Sequence, residues 1–218
     1  MTDPTLTATR FIDADHPAIR AYADLHAGTG DARTRAVRLY YAVRDAVRYD
    51  IGAFGLDEDA LVASNVLTAP SAFCVPKAIL LAAVARASGI PARLGFANVR
   101  NHLSSPRYAA LMDGDLFEWH AYTALHLDGA WVKATPAFDI GLCTRHGVKP
   151  LEFDGTADSV FHEFDTAGRR HMEYVDFLGE FDDLPYDRYA ADMRRTYPRL
   201  LEALDHDRAE RRARIAQS

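Results

Sequence analysis

Apolar positions recur at helical spacing in the first half of the chain and alternate strand-fashion in the middle. Val37, Tyr40, Tyr41, Arg44 and Val47 share one face, with Leu39 and Val43 widening it, so a helix is predicted from Ala32 to about Val47 with Asp31 as N-cap. A shorter helix precedes it, capped by Asp15, carrying Pro17 in its first turn, reaching about Leu25 and ended by Gly28-Thr29-Gly30. The clearest helix is Cys74 to Ser88. Pro76 is tolerated only in a first turn, which sets the start near Cys74. Ile79, Leu80, Ala83, Val84 and Ala87 form its apolar stripe, Gly89 supplies a left-handed stop and Pro91 forbids continuation.

Arg93 to Val99 reads as a strand and Asn101 to Gly114 as a loop. From Glu118 to Leu127 the side chains alternate, with Trp119, Ala121, Thr123, Leu125 and Leu127 on one face and His120, Tyr122, Ala124 and His126 on the other. Asp128-Gly129 is a two-residue hairpin signal, and the return strand runs from Ala130 to about Thr135. Residues 48–70 read as irregular, with a short helix near Leu61. Residues 150–185 show no steady period, and Leu200 to about Arg214 is a final charged helix entered after Pro198. Helices followed by strands suggest an α+β class with helices packed on an antiparallel sheet. One domain over 1–218 is expected, with a core at about 30–145 and a C-terminal extension at about 150–218.

Composition narrows the functions. The 218 residues are 49% hydrophobic and 26% charged, which is globular, and the net charge of −6 argues against a phosphate-backbone binder, so no nucleic-acid partner is expected. No apolar run approaches a bilayer span, so no membrane partner is expected. The polar stretch Met1 to Arg10 lacks a signal-peptide core, and the expected location is cytoplasmic. Two cysteines make no disulfide framework. No close-spaced ligand motif joins Cys74, His102, His120 or Cys143, so neither metal nor cofactor is expected.

Cys74 is the first candidate for chemistry. At a helix N-terminus it meets unpaired amides and the positive end of the helix dipole, both of which favour the thiolate. The same amides could hold a developing oxyanion. Cys143, in the loop stretch Gly141-Leu142-Cys143, carries no such signal and reads as structural. A thiol nucleophile needs a base. Among nine histidines, His16, His26, His146, His162, His171 and His206 read as capping or surface residues. His102, His120 and His126 are better candidates, and His120, on a strand beside Trp119, is the best. If Leu127 pairs with Ala130 and the return strand continues past Pro136, Thr135 and Asp139 become diagonal neighbours of His120, and either could orient its imidazole. His102 is kept as a substrate contact from the loop after the first strand.

These residues also carry a resemblance. Phe73-Cys74-Val75-Pro76-Lys77-Ala78, running to Gly89-Ile90-Pro91-Ala92-Arg93, resembles the nucleophile helix of the transglutaminase-like superfamily. His120-Ala121-Tyr122 through Trp131-Val132 is similar to that family's histidine strand and hairpin, and the matches span about residues 70–140. The resemblance implies a papain-like site, a Cys helix against an antiparallel sheet bearing His and Asp. It also implies acyl transfer from an amide through a thioester, as in transglutaminases, cysteine peptidases and amidases. The family also includes inactive members. One departure stands out: Thr135 occupies the usual acid position, and Asp139, four residues on, is the substitute favoured here.

Two functions follow. One is a cysteine-dependent acyl-transfer enzyme acting on a peptide or small amide substrate by hydrolysis, deamidation or transamidation. The other is a catalytically silent binding module on the same fold, motivated by Thr135. The acidic, Phe-rich stretch 151–183 either folds over the site or packs on the sheet.

Overall fold

The computed structural model describes residues 3–102, 105–160, 167–169 and 171–215. Helix α1 (Pro17–Ala27) is capped by His16, whose ring accepts the Ala18 N–H, rather than by the expected Asp15. Helix α2 (Ala32–Ala46) is capped by Asp31 through the Thr34 N–H. Short 3₁₀ turns at Ile51–Ala53 and Asp59–Leu61 and helix α3 (Ala63–Thr68) lead to α4 (Cys74–Ala87). Ser88 closes α4, and Gly89 follows at φ +72°, the left-handed geometry expected of it.

Helix α4 is the centre of the molecule. Every residue from Val75 to Arg86 is buried, not only the stripe read from the sequence. A helix covered all round must be apolar all round, and its two cations are bonded rather than solvated. Arg86 donates to the carbonyls of Thr7, Ala92 and Asp182. The Lys77 ammonium donates to the carbonyls of Arg44 and Val47 at the end of α2, where a cation suits the helix dipole.

On one side α4 packs against α1, α2 and α3, and on the other against a sheet. The strands are β1 (Ala92–Asn101), β2 (Leu116–Leu127), β3 (Ala130–Ala134) and β4 (Met172–Phe181), in the order β3-β2-β1-β4 and all antiparallel. Thr123 on β2 donates its hydroxyl to the Ala78 carbonyl, fastening α4 to the sheet at 2.8 Å. Leu127 pairs with Ala130 as expected, and β3 stops at Ala134. Thr135 instead pairs its N–H with the Ser159 carbonyl. The continuation that would have carried Asp139 beside His120 therefore does not form. Asp139 caps a helix, α6 (Ile140–His146), and Cys143 is buried on it rather than lying in a loop.

Three further elements were not read from the sequence: the two-turn α5 (Pro106–Leu111) inside the expected loop, strand β4, and α7 (Tyr186–Thr196) before α8 (Pro198–Ile215). Strand β4 lies in the 151–183 stretch and packs edge-on to β1, while 161–166 of that stretch, with His162, lies outside the described residues. Among the described residues no helix is long and apolar enough to cross a membrane.

Candidate active site

Cys74 is the first residue of α4, and its position is set by the chain on either side. The Ala72 N–H bonds the Arg48 carbonyl and the Asp50 N–H bonds the Ala72 carbonyl, so the segment entering α4 runs beside Tyr49. Phe73, the N-cap residue, offers no side-chain cap, which leaves the first-turn amides available. The backbone N–H groups of Ala121, Val75 and Cys74 itself lie near the partly buried Cys74 sulfur and favour its thiolate. Ala121 directly follows His120, so the sulfur lies against the β2 backbone at the histidine. Cys74 and His120 line one small cavity of about 30 Å³, walled by Tyr49, Phe54, Trp119 and Tyr189. That volume is on the order of one or two water molecules.

Desolvation dominates the electrostatics. Burial pushes the Cys74 thiol up to about 11, against the three amides that favour the thiolate. Burial therefore opposes the helix terminus, costing the charge more than the amides return. Burial likewise pushes the His120 imidazole down to about 4. The resting pair is thus neutral thiol beside neutral imidazole. Among the described residues the imidazole has no hydrogen-bond partner.

The other sequence candidates lie elsewhere. Asp139 accepts the N–H groups of Tyr49 at 2.7 Å and Leu142 at 2.8 Å. Burial acts to raise its carboxyl, but those amides and Lys77 hold it below the usual carboxylate range. It therefore reaches the site indirectly, by tethering Tyr49, a wall of the cavity. Thr135 is buried, its carbonyl accepts the Tyr40 hydroxyl, and its own hydroxyl has no partner. His102 is not in the cavity wall. It sits beyond the end of β1, with its ring 3.6 Å from Glu173, so it is not placed as a substrate contact for Cys74. Among the described residues no group of three His, Cys, Asp or Glu is arranged to hold a metal ion.

The structure adds one feature that the sequence reading missed. Trp119, the residue before His120, has φ +58°. For a bulky residue this is strained geometry, costing about 1–3 kcal/mol, and it persists only where the surroundings over-determine it. The indole N–H donates to Asp192 on α7 and the ring packs on Phe96 and Tyr189. No periodicity signal distinguishes such a Trp from an ordinary inward strand residue.

A buried-helix cysteine against an antiparallel sheet bearing histidine is a papain-like arrangement. The chain belongs to the transglutaminase-like superfamily, whose core model matches residues 20–136. No curated protein matches the sequence. Among solved structures, the chain is similar to a "putative cysteine protease" from Cytophaga hutchinsonii, at 16% identity and TM-score 0.47. That match covers 81% of this chain and 53% of the other, so this chain spans about half the neighbour's length.

Proposed function

We propose that the protein is a cysteine-dependent acyl-transfer enzyme acting on a carboxamide or peptide bond. The observation that carries the reading is that Cys74 and His120 line one cavity, with the Ala121 N–H, next in the chain to His120, near the Cys74 sulfur. Cys74 attacks the carbonyl carbon as His120 takes its proton, forming a C–S bond and a tetrahedral oxyanion. The amides of Cys74 and Val75, at the α4 terminus, are the donors nearest that developing charge. The imidazolium then gives its proton to the leaving amine, the C–N bond breaks, and a thioester remains. Water releases the acid, or an amine forms a new amide. Because each charge alone is disfavoured by burial, the proton moves as the bond forms rather than in a standing ion pair. Asp139 acts in this reading as a positioning residue that holds Tyr49, and the reacting pair is a dyad.

The test is incubation of unfolded casein with and without a primary amine, read by mass spectrometry for cleavage, deamidation and amine incorporation. Activity is expected to vanish in Cys74→Ala and persist in Cys143→Ala; activity surviving in Cys74→Ala contradicts the proposal. A second reading, a silent binding module, is favoured by the imidazole lacking a partner and by the raised thiol. It predicts that His120→Gln leaves the reactivity of Cys74 unchanged.

A further inference from the structure

The pairing of β1 with β2 slips by one residue beside the site. Val99 pairs with Phe117 but Ala97 pairs with His120, so Asn98 faces both Glu118 and Trp119. This is a β-bulge, and a one-residue insertion decides which side chain falls on which face of the strand. Without it, Trp119 rather than His120 would stand opposite Ala97.

Three sets of contacts hold this bulge. The Asn98 side-chain oxygen accepts the Trp119 N–H at 3.2 Å, replacing a ladder bond. Asp192 on α7 accepts the indole N–H at 3.1 Å, and Arg188 of the same helix lies over the ring. At the end of α7, the Tyr197 hydroxyl accepts the Glu118 N–H at 2.7 Å, and the Thr196 hydroxyl donates to the Glu118 carboxylate at 3.0 Å. These bonds converge on the two residues preceding His120 and on a backbone angle that Trp does not adopt unaided. Bulges next to active sites re-aim a side chain.

We infer that the Glu118–Trp119 bulge, clamped by Asn98 and by Asp192 of α7, is the device that aims His120 at Cys74, making Asn98, Trp119 and Asp192 positioning residues. This rests on the reading of Cys74 and His120 as nucleophile and base. It also gives the C-terminal helices a role at the site, although they contribute no reacting group.

The experiment compares Asn98→Ala, Asp192→Ala and Asp192→Asn, which retains an acceptor for the indole, with the parent chain. Two readouts are used: titration of the His120 ring by NMR and the rate of Cys74 alkylation by iodoacetamide. In both alanine variants the His120 midpoint is expected to rise from about 4 toward 6.5, and the alkylation rate to fall about tenfold. Asp192→Asn should stay near the parent on both. Folded alanine variants that keep the parent His120 midpoint and alkylation rate overturn the inference. Asp192→Ala alters an α7 side chain away from the strand backbone, so it remains informative if Asn98→Ala fails to fold. If His120→Gln leaves alkylation of the parent unchanged, the base reading fails, and the His120 midpoint alone still decides whether the bulge holds the ring.

Discussion

Acid should weaken this fold through one histidine. His120 is 5% exposed and burial holds its imidazole at about 4, against an ordinary 6.5. The unfolded chain therefore binds a proton at this position below about pH 6.5 that the folded chain refuses until about pH 4. Stability contributed by the neutral ring is complete above the upper value and is lost as pH falls through the window. Between about pH 7.5 and pH 4.5 the loss from this one group is about 2–3 kcal/mol, from the two proton affinities. Other groups titrate in the same range, so the measurement is a difference: urea unfolding of the parent and of His120→Gln at both pH values. The parent is expected to lose about 2–3 kcal/mol more than the variant. Equal losses in the two proteins would show that the ring is not held in a desolvated place and would remove the neutral-pair mechanism with it.

Three other outcomes are expected. Lys77→Ala strands the carbonyls of Arg44 and Val47 and empties buried space, so urea unfolding should show a loss of about 3 kcal/mol or more. Gly95→Ala places a methyl inside the Tyr122 ring, whose hydroxyl bonds Glu180; unfolding should show about 1–3 kcal/mol of destabilisation. Asp139→Ala removes the α6 cap and the Tyr49 tether at about 1–2 kcal/mol, with Cys74 alkylation kept within a few-fold of the parent. A collapse of alkylation in Asp139→Ala equal to that in His120→Gln would make Asp139 the imidazole's partner after all.

The elements nearest the site were the ones most legible in the sequence. Pro76 marks the start of α4 because its ring fixes φ and lacks an N–H, Gly89 marks the end because it tolerates a left-handed φ of +72°, and Asp128-Gly129 marks the hairpin because both turn positions need positive φ. Asp139 misled because strand parity was carried past Pro136, where the chain instead pairs Thr135 with Ser159 and turns into α6. Strand β4 is hard to read because its register against β1 slips twice, so its side chains keep a period of two for no more than three residues at a stretch. Helix α7 is amphipathic, with Tyr189, Ala190 and Met193 buried at helical spacing, but so few apolar positions among its charged residues leave the stripe easy to pass over. The Trp119 bulge was invisible for a related reason. The residue that would normally announce a left-handed strand position is Gly, and here surrounding bonds force that geometry on a Trp.

The central claim is that His120 activates Cys74. It is tested by the rate of iodoacetamide modification at each cysteine in the folded chain, mapped by mass spectrometry, in the parent and in His120→Gln. Partly buried Cys74 is expected to be modified while buried Cys143 is spared, and His120→Gln to slow Cys74 by about tenfold or more. Equal modification of the two cysteines, or a Cys74 rate indifferent to residue 120, would contradict it.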